Sequence, residues 1–325
     1  MRTSKRRTQN ERTGKYHSKK VKRLTDRSNR QKTKVALEVR QETTYTLKEI
    51  LTVLKLPKSV YYYWIKHMDD QKQKDQWLVE KIRKIVSRHK GRYGYRRIKA
   101  ILENREQIVV NHKRLLRIMK TYNLLCQKFK NKSRTRYSSY KGTVGNVAPN
   151  KVKRNFKPET FNQLWVTDVT EFALPIKGKK LYLSTIMDCY NSEVIAYQLS
   201  RSPNLAIAIN PLNKALKEHH HNLNQLVVHS DQGFHYQHSS WGNTITEFGA
   251  TMSMSRKGNC LDNSPMENFF GLLKQEMFYG EVFKTYEALE IAVHEYIRYY
   301  NKDRIKLKLK GMSPEEFRKH TLQSA

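Results

Sequence analysis

The sequence predicts an α/β domain with a mixed sheet in the second half of the chain and an all-helical, basic first half. Three observations carry that prediction. The chain has 325 residues, more than the ~100–200 of one typical domain. Residues 1–160 hold 45 Lys+Arg against 12 Asp+Glu, whereas residues 161–325 hold 18 against 17. Apolar residues recur at helical spacing in the basic half. In the neutral half, runs of β-branched and aromatic residues alternate with helical patterns.

The elements follow in order. Residues 1–34 carry 14 Lys+Arg, two acids and almost nothing apolar, which reads as a basic arm unable to bury a core. In residues 35–68, Leu47, Ile50, Leu51 and Leu54 mark one helix, and Leu56-Pro57-Lys58-Ser59 breaks it. Val60–Lys66 then starts a second helix capped near Ser59, Pro57 or Lys58. Helix, short turn, helix is a layout whose second helix can enter a major groove. The aromatic run 61–64 reads as partly core.

Residues 69–127 form a second helical module. Ile82, Ile85 and Val86 mark one helix, residues 93–102 the next and residues 111–119 a third, capped by Asn111. Lys113, Arg114 and Arg117 lie opposite Leu115, Leu116 and Met119, a phosphate-facing stripe or an ordinary solvated face. Residues 128–158, with ten Lys+Arg, no acid, two Gly and two Pro, read as a basic linker.

The neutral half, residues 159–320, reads β-β-β-α-β-α-β-α-α. The strands are 164–172, 180–190, 193–199, 225–229 and 251–255; the helices are 203–220, 241–248, 264–279 and 286–300. Five strands in this order imply a mixed sheet flanked by helices. Residues 321–325 are left as a tail.

Composition excludes several classes. No run approaches the ~20 apolar residues of a membrane span, and the first residues lack the apolar core of a secretory signal. Cys126, Cys189 and Cys260 lie far apart, which fits a reducing cytoplasm and excludes a disulfide framework. The tract His219-His220-His221 reads as a solvated helix end. The natural partner of the basic half is a polyanion; a membrane is not expected.

Three acids in the neutral half stand out. Asp168 sits inside the first strand, Asp231 follows the fourth directly, and Glu267 opens a long helix, with 35 residues between the last two. Buried acids on β elements are costly unless paired or metal-bound. Converging from two strands and a helix, the three could hold two hard cations through oxygen. Each also has a plain reading: a hydrogen-bonded strand acid, a strand-end turn, and one half of a Ser264-x-x-Glu267 capping box. Glu171 and Asp188 read as supporting acids, not ligands.

The flanking residues carry a resemblance. The segments are Trp165-Val166-Thr167-Asp168-Val169-Thr170-Glu171, His229-Ser230-Asp231-Gln232-Gly233, Ser255 to Phe270, Lys274, and Tyr299-Tyr300-Asn301-Lys302-Asp303-Arg304. Together they resemble the DDE transposases of insertion-sequence family three, whose core is like that of retroviral integrases. Residues 92–98 resemble that family's second DNA-binding module.

The resemblance implies a ribonuclease-H-like catalytic core with Asp168, Asp231 and Glu267 as catalytic, metal-holding acids. It implies two Mg²⁺ ions with Mn²⁺ as a substitute. Retroviral integrases also carry a His/Cys zinc module whose spacing is missing here, so no zinc is expected. Lys274, two turns beyond Glu267, is expected to meet a phosphate, with Arg256, Lys257, Arg96 and Arg97 as further DNA contacts. The implied activity is binding of the terminal inverted repeats, strand cleavage, and joining of the 3′-hydroxyl to target DNA. It implies a homodimer or larger assembly on DNA, a possible upstream-frame fusion partner, and a nucleoid-associated place in a bacterial cytoplasm. The alternatives are a DNA-binding regulator with an inactive core and another ribonuclease-H-like nuclease.

Overall fold

The computed structural model describes residues 27–67, 70–128, 145–219, 223, 225–256 and 259–324. The arm up to residue 26, half of the linker, His220, His221 and Lys257 therefore lie outside the described residues. The chain divides into two compact units, residues 1–82 and 83–325.

In the first unit, α1 (Asn29–Glu42), α2 (Leu47–Val53) and α3 (Lys58–His67) pack around Ala36, Ile50, Leu51, Leu54, Leu56 and Tyr61. Two capping boxes start the first two helices, Ser28 with Gln31 and Thr46 with Glu49, each satisfying otherwise unpaired N–H groups. Helix α1 begins inside the stretch read as an arm. Thr33 and Ala36 give it a buried face too short for a periodicity argument to catch. Of the aromatic run, Tyr61 is core, whereas Tyr62 and Tyr63 keep half their surface in solvent. Helix α4 (Asp70–Arg88) runs across the division.

In the second unit, α5 (Tyr95–Asn104) and α6 (His112–Thr121) precede a five-stranded sheet. Its strands are β1 (Leu164–Ala173), β2 (Lys180–Asp188), β3 (Glu193–Ser200), β4 (Val227–Ser230) and β5 (Thr251–Met254), in the order β3-β2-β1-β4-β5. The first three form an antiparallel meander; β4 and β5 add in parallel to β1. Helices cover both faces. Trp165, Ile186, Val228 and Met254 meet α7 (Ala206–Glu218) and α9 (Ser239–Glu247), which follows the short turn α8 (Phe234–Gln237). Leu164, Val166, Leu183 and Met187 meet α10 (Ser264–Leu273) and α11 (Tyr286–Lys302). Alternation along β1 sends Trp165 to one layer and Val166 to the other.

The predicted order of strands and long helices appears here, with three differences. Helix 264–279 ends at Leu273 and passes into a π turn, Lys274–Phe278, closed by Tyr279 N–H on the Lys274 carbonyl at 2.7 Å. Residues 321–324 of the stretch read as a tail belong to α12 (Pro314–Ser324), and Ala325 lies outside the described residues. His219 is a half-buried helix cap with its ring edge-on to Trp165 at 5.7 Å, so solvent does not surround it.

Candidate active site

Parallel pairing of β1 with β4 builds the site. Val166 lies opposite His229, and this register carried on two residues sets Asp231 beside Asp168. The residue facing Asp168 on β2 is Thr185. Asp168 Oδ1 accepts the Val169 N–H at 2.7 Å, and Asp231 Oδ1 accepts the Gly233 N–H at 2.8 Å. So Asp231 does make the strand-end turn, and each aspartate keeps a second oxygen. Helix α10 is tied to the same strand: Asn263 Nδ2 donates to the Thr167 carbonyl at 3.1 Å, one residue before Asp168. Met266, Phe269, Phe270 and Leu273 bury the other side of α10, leaving Glu267 in solvent at its first turn. The cap is Asn263, so the Ser264–Glu267 capping box does not form.

The electrostatics record the convergence. Asp168 is raised well above the usual carboxylate range by burial and then by Asp231 and Glu267, while the Val169 N–H and Lys274 oppose the rise. Burial also raises Asp231, and partial desolvation raises Glu267. Lys274 opens the π turn with its ammonium 5.6 Å from the Phe172 ring centre. Burial lowers its pKa against the pull of Glu171 and Asp168. Asp231, Glu267 and Lys274 are all near enough to act on Asp168 through space. Among the described residues, however, no three His, Cys, Asp or Glu side chains stand close enough to form a ligand set. The donors are nonetheless of the right kind: hard carboxylate oxygens, mutually repelling and partly desolvated, which suit a divalent cation such as Mg²⁺.

The other candidates fall elsewhere. Asp188 faces Trp165 three residues back along β1, where it accepts N–H bonds from Asn162 and Tyr190, both at 2.8 Å. Burial raises it to about 6. Glu171 is exposed and pairs with Lys180 at 2.8 Å. Arg256, read as a DNA guide, forms two bonds to Asp262, at 2.8 and 3.0 Å. Asp262 is buried and also takes Arg154 at 2.8 Å and Asn150 at 3.1 Å; Arg256 first, then Arg154, hold its carboxyl far below the usual range. Thus residues 145–158, read as linker, are bound to the core: Val152 is buried and the Lys151 N–H meets Ser253 Oγ at 2.9 Å.

The motif 92–98 is divided as well. Arg92 and Tyr93 are buried. The Arg92 guanidinium lies 4.6 Å from the Tyr299 ring centre, its Nε donates to the Glu276 carbonyl, and the Tyr93 hydroxyl accepts the Ile305 N–H at 2.9 Å. These residues fasten the second helical module to the core. Arg96 is exposed against Tyr95 and Arg97 half-buried over Tyr93. On α6, Lys113 and Arg117 are exposed and Arg114 half-buried, opposite buried Leu115, Ile118 and Met119.

Two residues were assigned no part in the site by sequence reasoning, although Gly233 lies within the motif that carries Asp231. Tyr236 is buried with its hydroxyl 3.5 Å from Thr167 Oγ1, and burial with Asp168 and Asp231 raises its pKa strongly. Its only signal is its place five residues after Asp231. Gly233 is the other: a Cβ there would stand 2.9 Å from Asp231 Oδ1. Gly233→Ala should therefore displace that carboxylate, cutting activity ~10-fold or more while Tm moves little. Equal activity in a strand-cleavage assay would show that Asp231 tolerates the shift.

Comparison with known proteins agrees with this architecture. Two profiles described as Integrase core domain match residues 158–260 and 267–322, and one described as HTH-like domain matches residues 72–133. A putative transposase, InsK, of insertion sequence element IS150 from Escherichia coli K12 is 45% identical over 89% of this chain and 98% of its own. An uncharacterized transposase-like protein of Haemophilus influenzae is 47% identical over 67% of this chain and 97% of its own. The transposase of IS904 from Lactococcus lactis is 34% identical over 75% and 94%. Such identity along nearly the whole length of these relatives, on a helix-turn-helix-like module joined to an integrase core, means that the chain belongs to the insertion-sequence transposases of family three.

Proposed function

We propose that Asp168, Asp231 and Glu267 are the catalytic acids with which this chain cuts a DNA strand at the inverted repeats and joins the 3′-hydroxyl end to target DNA. The observation that supports the proposal is the electrostatic effect on Asp168, which both Asp231, just past the strand paired in parallel with β1, and Glu267, on α10, raise. Two Mg²⁺ ions, with Mn²⁺ as substitute, held by these acids would supply Lewis-acid activation of the attacking oxygen and neutralise charge at the scissile phosphate.

The chain's own residues prepare that centre. The Val169 and Gly233 N–H groups fix the aspartate carboxylates. Tyr236 is buried close by, its hydroxyl 3.5 Å from Thr167 Oγ1. Lys274 can donate a charge-assisted bond to a phosphate oxygen. No side-chain nucleophile is required: the Ser230 hydroxyl donates to the Asp231 carbonyl at 3.0 Å, and the Cys189 thiol is buried and pushed up in pKa.

Phosphate contacts would come from Lys113, Arg114, Arg117, Arg96 and Arg97 in the helical module, with the first three helices and basic arm adding to end recognition. Joining two ends requires two active sites, hence a dimer or larger assembly, with an upstream-frame fusion partner as a further component. The test is Mg²⁺-dependent cleavage and strand transfer on inverted-repeat DNA, comparing wild type with Glu267→Gln. A loss of ~10³-fold with DNA binding retained is expected, about 4 kcal/mol of barrier. Full activity in Glu267→Gln would sink the assignment.

A further inference from the structure

Beside α10, on a face about 100° round from Glu267, a cavity of about 710 Å³ opens between the start of α5, α10 and the 3₁₀ turn Leu307–Leu309. No carboxylate lines it. Five cations do: Arg96, Arg97, Arg304, Lys306 and Lys308. Arg304 is engaged by Glu276. Among the described residues the other four form no ion pair with a carboxylate, although Glu276 also acts on Arg97 through space. Lys306 Nζ donates to the Tyr300 hydroxyl at 2.6 Å, Lys308 Nζ to Ser192 Oγ at 2.6 Å, and Arg97 lies 5.5 Å from the Tyr93 ring centre.

Like charges gathered in a cavity without a counter-ion repel one another. Lys306 shows the effect: burial, then Lys308, Arg304 and Arg97, hold its ammonium well below the usual lysine range. The backbone adds to the positive potential. Helices α5 and α10 both begin here, at Gly94 and Asn263, and neither has a side-chain cap on its first N–H groups. The space is far larger than one inorganic anion needs, and Phe269 and Leu272 give it an apolar wall. Those features fit a phosphodiester together with its attached sugar.

We propose that this cavity is a second phosphate site, in which Arg97, Lys306 and Lys308 hold a backbone phosphodiester of a DNA strand running beside α10. The proposal rests on the reading of the chain as a DNA-acting enzyme. It gives Arg97, already read as a phosphate contact, a definite place to hold one, and it gives Lys306 and Lys308 a role that no motif assigned.

The test uses the full chain with a fluorescein-labelled duplex in EDTA, reading anisotropy across 50–200 mM salt. Lys308 is exposed on its turn, so its replacement leaves the fold intact. Lys308→Gln should weaken binding several-fold and flatten the slope of log K against log salt by about 0.9, the share of one phosphate contact. Arg97→Gln with Lys308→Gln should flatten it by about twice that, and Lys308→Arg should restore wild-type behaviour. An unchanged slope in Lys308→Gln overturns the site while leaving the catalytic reading untouched. Absence of Mg²⁺-dependent cleavage by wild type in a separate assay, with the slope change present, overturns the catalytic reading alone. A parallel melt in inorganic phosphate separates the sources: stabilisation of wild type over Lys308→Gln, with an unchanged DNA slope, would make the site one for free phosphate and overturn the proposal.

Discussion

Glu276→Gln should destabilise the second unit by about 3–5 kcal/mol. Glu276 sits in the π turn after α10 with its side chain fully buried, and Arg304, 1% exposed, meets it with bonds of 2.6 and 2.9 Å. The Tyr296 hydroxyl donates a further bond at 3.0 Å. Removing the negative charge leaves a guanidinium in a cavity wall with no counter-charge, beside Lys306 and Arg97. Replacing both partners by apolar residues of similar volume removes the stranded charge as well. Glu276→Leu with Arg304→Met should therefore recover most of the loss. Urea unfolding followed by the fluorescence of buried Trp165 and Trp241 reports on this unit. A loss under ~1 kcal/mol in Glu276→Gln would mean that water reaches the pair.

Asp168→Asn should abolish strand cleavage, by ~10³-fold or more, and at the same time raise the stability of the metal-free protein. Burial and two neighbouring acids raise Asp168 above its ordinary value. The folded state therefore holds a proton that the unfolded chain has released, over a window starting near pH ~4. As pH rises through that window and through the raised folded pKa, the native state is increasingly penalised. An asparagine carries no such penalty. The advantage of Asp168→Asn should be absent near pH 3, grow as pH rises, and reach on the order of 1 kcal/mol at neutral pH. Mg²⁺ reverses the order: at ~100-fold excess over its dissociation constant it should add about 2.7 kcal/mol to wild type and little to the variant. Melting curves at several pH values, with Mg²⁺ or EDTA, check both parts. A variant less stable than wild type in EDTA at pH 7.5 would show that Asp168 is a structural acid.

The acids were readable as candidates because their flanking residues are distinctive. Once 164–172 and 225–229 are strands, a parallel register is enough to bring Asp168 and Asp231 together. What stayed hidden depends on distant partners. Arg92 and Arg96 are four residues apart in one basic motif, yet one is buried against Tyr299 and the other faces solvent. Nothing in residues 92–98 distinguishes them, because the distinction is made two hundred residues later. Arg256 likewise looks like a DNA contact until Asp262 is folded against it. Residues 145–158 have the composition of a free linker, and only Asp262, Ser253 and Gln237 turn them into a strap. Lys306 and Lys308 gave no signal, since two lysines in a basic chain are unremarkable until a cavity gathers them.

The fastening of Arg92 and Tyr93 onto α11 ties the second helical module to the unit that holds Asp168. Helices α5 and α6 share one compact unit with the sheet, so the basic face of α6 stands at a set span from Asp168. DNA held on that face would be presented to the acids at a constant number of base pairs from the point of grip. The protein would act as a ruler whose graduation is a clamp of tyrosines and arginines rather than a tether.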